Sequence, residues 1–199
     1  MRLAAVLTVG AVLALVAAAC GGSDSPEAVS APSPQPAKPE DFPSAKGKTL
    51  RDLLQEAGSS GPVIAASVSQ FTPGENRFGF ALFDGTAAQI ADAPVVLYVA
   101  PAKGGPVQGP IRARFEQMDV KPQFESRSVE DDKDAAKSLY VADLDLPKPG
   151  QYEVIGLAQL DGRLVAATPA GGALTVTRDI PVPDVGEKAP VVNTDTEAS

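Results

Sequence analysis

From Pro62 onward, bulky apolar residues recur at every second position in short runs. Phe78, Phe80 and Leu82 share one face of one run, and Val95, Leu97 and Val99 share one face of the next. A period of two, in segments rich in Val, Phe and Tyr and bounded by Gly, Pro, Asn or Asp, predicts half-buried strands. Such runs occupy 63–69, 76–83, 94–101, 111–117, 138–145, 151–159, 163–168 and 173–178. Between Leu157 and Val165 stands Asp161-Gly162, a two-residue hairpin signal, because both turn positions need positive φ. Before the first strand the period changes. Leu50, Leu53, Leu54 and Ala57 fall on one helical face, behind the capping-box spacing of Thr49-Leu50-Arg51-Asp52 and ahead of Gly58, which predicts a helix over 50–57. So short a helix is unstable alone in water and must dock its leucines on the downstream domain. Ser128-Val129-Glu130-Asp131 repeats the capping-box spacing and predicts a second short helix within 128–137.

Eight short strands without a long helix imply an all-β sandwich or barrel. Gly150-Gln151-Tyr152-Glu153-Val154 matches a tyrosine corner, in which the phenol hydroxyl bonds main chain a few residues upstream. The expectation is therefore an immunoglobulin-like β-sandwich of seven to eight strands with a short N-terminal helix, after a disordered tether. With no tryptophan and a single cysteine, its core would be aliphatic and aromatic.

At the N-terminus, Met1-Arg2 precedes an uncharged run, Leu3 to Ala19, that ends in three alanines, the pattern of a cleaved signal peptide. The run is shorter than the roughly 20 apolar residues that span a bilayer. Val16-Ala17-Ala18-Ala19-Cys20 resembles a lipobox, although Ala17 stands where that pattern prefers Leu. The resemblance implies a bacterial lipoprotein, cut before Cys20 and held by lipid on that cysteine to the extracytoplasmic side of the cell membrane. Cys20 has no disulfide partner within the chain, and two or three acyl chains, at about 0.8 kcal/mol per buried methylene, give stable anchoring. From Gly21 to Lys48 the chain is mostly Gly, Ser, Ala, Pro and charge, with Val29 and Phe42 its only bulky apolar residues. Such composition predicts a disordered tether reaching roughly 85 Å if extended at ~3.1 Å per residue. The expected organisation is a signal peptide at 1–19, lipidated cysteine and tether at 20–48, helix at 49–60, sandwich at 61–179, and a disordered tail or linker at 180–199.

Composition narrows the chemistry. Net charge is −8, and loss of residues 1–19, which hold Arg2 and no acid, makes it −9. Such a chain has no electrostatic reason to bind nucleic acid; the expected partners are the membrane, through Cys20, and another envelope protein. Histidine is absent, which removes Ser-His and Cys-His catalysis and, with so few Cys and Met, transition-metal sites. A lone cysteine cannot form the Cys-x-x-Cys pair of thiol exchange. Gly47-Lys48-Thr49 has the ending of a phosphate-binding loop, but Phe42 occupies the place of its first glycine. Glu130, Asp131, Asp132 and Asp134 lack a calcium-loop pattern and fit a solvated helix start. No catalytic, cofactor or metal residues are expected, and the chain is read as no enzyme. Lys103 to Pro110, rich in glycine, is a candidate contact loop.

A series of segments carries one further resemblance. Gly74-Glu75-Asn76-Arg77-Phe78-Gly79-Phe80, Ala93-Pro94-Val95-Val96-Leu97-Tyr98-Val99, Gly109-Pro110 and Leu146-Pro147 through Tyr152 together resemble the N-terminal β-sandwich of actinobacterial thioredoxin-fold lipoproteins. Val185-Gly186-Glu187-Lys188-Ala189-Pro190 is similar to the start of the thioredoxin-like domain that comes next in that family. The resemblance implies a non-catalytic binding or spacer module, or, as the alternative, the N-terminal part of a redox lipoprotein whose catalytic domain is lost or encoded separately.

Overall fold

Because alternate side chains of a strand point to opposite faces, the apolar runs can bury one face or both. The computed structural model describes residues 36–58, 60–118, 120–124, 138–179, 183 and 185–191. Ten strands form in it: β1 (Ser60–Ala66), β2 (Gly74–Phe83), β3 (Gln89–Ile90), β4 (Val95–Pro101), β5 (Gln108–Arg112), β6 (Arg114–Gln117), β7 (Ser138–Leu146), β8 (Gly150–Leu160), β9 (Arg163–Pro169) and β10 (Leu174–Val176). One α-helix, α1 (Leu50–Glu56), precedes them, and single 3-10 turns lie at Pro39–Asp41 and Pro122–Phe124. The protein is mostly β, as expected. The expected helix within 128–137, the acidic run from Glu130, Cys20 and the signal segment lie outside the described residues.

The strands join in one mixed sheet, hydrogen-bonded in the order β5-β4-β8-β9-β1-β2-β7-β6, with β10 on β8 and β3 on β2. Every pairing of these strands is antiparallel except that of β1 with β9. Strands far apart in this order nevertheless share one core. Phe78, Phe80, Leu82, Tyr140, Ala142 and Leu144 of β2 and β7 cluster with Val95, Leu97, Val99, Val154 and Ala158 of β4 and β8. The sheet therefore doubles over, with β1 joining its halves. Through the core runs a chain of rings, Phe71, Phe78, Phe80, Tyr140 and Phe115, with successive centroids 5.4–6.0 Å apart, the spacing of favourable aromatic contacts. Tyr140 also pins the two halves together. Its hydroxyl donates to the Ala93 carbonyl at 3.1 Å and accepts from the Ala93 N–H at 3.0 Å, and burial pushes its pKa up to about 12.

Local sequence signals account for several joints. Asp161 and Gly162 both have positive φ, +50° and +71°, and close the β8–β9 hairpin with Leu160 opposite Arg163. Tyr152 forms the expected corner: its hydroxyl donates to the Lys148 carbonyl at 3.0 Å and accepts from the Lys148 N–H at 3.2 Å. The expected strand 111–117 is instead two. It breaks at buried Ala113, whose N–H donates to the Val95 carbonyl, so that β5 pairs with β4 and β6 with β7. Apolar alternation continues through a strand that changes partners, and periodicity alone does not register the change. This split and the two-residue β3 bring the strand number to ten, against the seven to eight expected.

The larger departure concerns the tether. Composition predicts disorder from Pro36 to Lys48, yet Ala37, Phe42 and Ala45 are buried. They join Leu50, Leu53 and Ala57 in a second cluster against Val96, Tyr98, Ala100, Ile155, Leu157 and Ala166. Those residues lie on the outer face of β4, β8 and β9, turned away from the first core. The Tyr98 hydroxyl clamps the segment by donating to the Pro43 carbonyl at 2.6 Å. Residues 36–57 thus form a strap across the sheet. Composition misreads its first part because few bulky side chains suffice when a preformed apolar face supplies the rest of the contact.

The capping box at the start of α1 is complete. The Thr49 N–H and hydroxyl each donate to Asp52 Oδ2 at 2.8 Å, and the Asp52 N–H donates to Thr49 Oγ1 at 3.2 Å. These bonds, the main-chain one foremost, hold the Asp52 carboxyl below its ordinary 3.8. A carboxyl lowered by folding stabilises the native state above its unfolded pKa, and that stabilisation is lost as pH falls through the folded value. Protection of amides 50–56, as the exchange rate relative to the intrinsic rate at the same pH, is therefore expected to fall below about pH 4, and Asp52→Asn to flatten that dependence. Leu53, 0% exposed at the centre of the strap, makes a second test. Leu53→Ala is expected to cost about 3 kcal/mol of unfolding free energy in urea titrations; a change near zero would mean that the strap is not part of the cooperative fold.

Candidate interaction surface

The residues singled out in the sequence as candidate chemistry do not converge. Lys48, in the phosphate-loop-like stretch, is paired with Glu56 at 2.7 Å, and Gly47 occupies a turn at φ +73°. Among the described residues no three His, Cys, Asp or Glu side chains approach closely enough to hold a metal ion. The candidate contact loop is exposed from Ala102 to Pro106, but its end is anchored. Gly109, at φ +137°, lies against the Tyr98 ring. A Cβ there would stand 2.5 Å from Tyr98 Cδ1 and 2.9 Å from the Leu97 carbonyl oxygen. The loop's return thus shapes the tyrosine that clamps the strap.

Three concavities lie side by side, the second and third of them against α1. The first, about 440 Å³, opens between residues 64–71 and 169–175. The second, about 380 Å³, lies between the helix residues Leu50, Arg51 and Leu54 and the β8 residues Glu153 to Ile155. The third, about 390 Å³, lies between Thr49 to Arg51 and the 100–107 segment. Pro169, Gly172 and Ala173 belong to both the first and the second, and Leu50, Arg51 and Glu153 to both the second and the third. They form one continuous groove. Its walls are mostly Ala, Gly, Pro and aliphatic residues, with Phe71 and the hydroxyl residues Thr49, Ser69 and Thr175, and among the described residues Arg51 and Glu153 are its charged liners. Each volume is within the range of ligand pockets.

Sequence reasoning missed most of this surface, because it arises where the strap and the 169–175 segment come beside each other. One signal was present: Ala170-Gly171-Gly172-Ala173 interrupts two apolar runs, and small residues in a strand mark close approach or a break.

No protein-family model, curated protein or solved structure matches the chain.

Gly109→Ala tests the anchoring of the contact loop. The added methyl clashes with Tyr98 and the φ is unfavourable for any L side chain, so a loss of about 2 kcal/mol or more is expected. Thermal unfolding measures it, and an unchanged midpoint would show that the loop does not bear on the strap.

Proposed function

We propose that this chain is an exported lipoprotein, anchored through lipid on Cys20 to the outer face of the cell membrane, and that its β domain is an immunoglobulin-like sandwich acting by binding rather than by catalysis. The observation that carries the fold half is the strand path. β5-β4-β8-β9 and β1-β2-β7-β6 are two antiparallel four-strand sets, joined in parallel where β1 meets β9 and again at the Phe71–Val176 bridge. The corner formed by Tyr152 supports the same reading. So does the resemblance of residues 62–178 to the sandwich of actinobacterial thioredoxin-fold lipoproteins. The binding half rests on the groove, a largely uncharged surface beside the C-terminal, helical part of the strap.

Docking of the strap changes how such a module stands at a membrane. Sixteen residues separate Cys20 from Ala37, a span of at most ~50 Å if extended at ~3.1 Å per residue, well short of the reach of a chain free to Lys48. The module is thus a close-held spacer. Another envelope protein working near the bilayer is the partner that such a height suits.

Metabolic labelling with palmitate tests the anchor. Wild-type chain is expected in the membrane fraction, labelled and lacking residues 1–19 by intact mass, whereas Cys20→Ser is expected unlabelled and released. An unlabelled wild-type chain that keeps residues 1–19 would refute the lipoprotein reading.

A further inference from the structure

The parallel contact between the edge that runs from β1 to Phe71 and the edge that runs from β9 into β10 opens and closes again. It runs to Ile64 opposite Pro169, where the Ala170 N–H donates to the Ile64 carbonyl. It resumes at Phe71 opposite Val176, where the Thr177 N–H donates to the Phe71 carbonyl. Each chain advances seven residues between these points, so the two edges part and rejoin in register. No main-chain hydrogen bond joins them in between among the described residues. The first hollow of the groove fills that opening.

Alternation along β1 shows what the opening presents. The Ile64 carbonyl faces β9, while the Ser67 N–H turns the other way and donates to the Gly79 carbonyl of β2. Ala66, two residues from Ile64, therefore directs its main-chain N–H and C=O into the gap. Main-chain groups in a hollow with apolar walls need partners, from water or from another chain. The floor is apolar, from Ile64, Val68, Phe71 and Leu174, and the mouth is lined by exposed Ala66, Ala170 and Ala173. No charged side chain lines it.

We propose that this opening is a binding site for an extended, uncharged peptide segment with small apolar side chains, which takes up the pairing that β1 and β9 leave off. Main-chain bonds supply the affinity and the apolar floor selects the side chains, the mode of strand addition at a sheet edge. A charged side chain entering the hollow loses water and meets no counter-charge, so acidic and basic segments are rejected. The inference deepens the binding reading above and is independent of the anchor.

The test uses the full chain carrying Cys20→Ser, which leaves every described residue in place. The probe is the capped peptide acetyl-Gly-Ala-Val-Ala-Val-Gly-amide, monitored by amide chemical shifts and hydrogen exchange. Shifts and new protection are expected at 65–70 and 170–175. Methylating alternate peptide nitrogens of the probe, or replacing one of its valines by Asp, is expected to weaken binding at least about tenfold, which is 1.4 kcal/mol. Ala173→Phe is expected to do the same by filling the mouth. Gly171→Val, at a position with no atom near its would-be Cβ and no positive φ, serves as a second obstruction should the first disturb folding. No perturbation of those residues, or equal binding of the methylated probe, would overturn strand addition. Palmitate labelling of the wild-type chain is unaffected by either outcome, so failure here is separable from failure of the anchor.

Discussion

Burial of β4 on both faces is the constraint on which the rest of this domain depends. All residues from Val95 to Ala100 are buried, and alternate ones serve different cores: Val95, Leu97 and Val99 the inside of the doubled sheet, Val96, Tyr98 and Ala100 the strap. A strand of that kind needs two covers. The doubled sheet supplies one, and residues 36–57 supply the other. Burial of apolar surface contributes about 25 cal/mol per Å², so a bare outer face would carry a large penalty in water and invite association. The strap is accordingly a structural layer, although its composition is that of a linker.

Polar groups reinforce this arrangement at a few points. Tyr98, Tyr140 and Tyr152 are the only tyrosines, and each hydroxyl bonds main chain: Tyr98 to the strap, Tyr140 to the entrance of β4, Tyr152 to the bend before β8. In each case an aromatic ring packs in apolar surroundings while its hydroxyl finds a main-chain carbonyl. Burial raises the pKa of the first two, so both remain neutral donors at ordinary pH. Ion pairs stay at the surface. Arg114 with Asp143 at 2.8 Å and Lys48 with Glu56 at 2.7 Å are both solvent-accessible and contribute little to stability.

The groove is a product of the same architecture. The parting of the β1 and β9 edges leaves an unfilled space between residues 64–71 and 169–175. Its chemistry suits recognition by shape and main-chain pairing. A histidine-free chain with one cysteine has no Ser-His or Cys-His pair and no Cys-x-x-Cys.

Sequence alone determined the features set by neighbours in the chain. The capping box at Thr49 and Asp52, the hairpin at Asp161-Gly162, the corner at Tyr152 and most strand positions depend on residues within a turn or two of each other, and local rules describe such contacts well. Periodicity also picked out the faces of β2 and β4 that meet in the inner core. Three things depended on tertiary structure. The change of partner at Ala113 is invisible to a period of two, because both halves of the run remain half-buried. The ordering of residues 36–48 depends on an apolar face some fifty residues downstream, and composition counted within a segment cannot include a surface that another segment provides. The groove was legible only as a run of small residues at 170–173, because its volume lies between edges that become neighbours only after β1 pairs in parallel with β9.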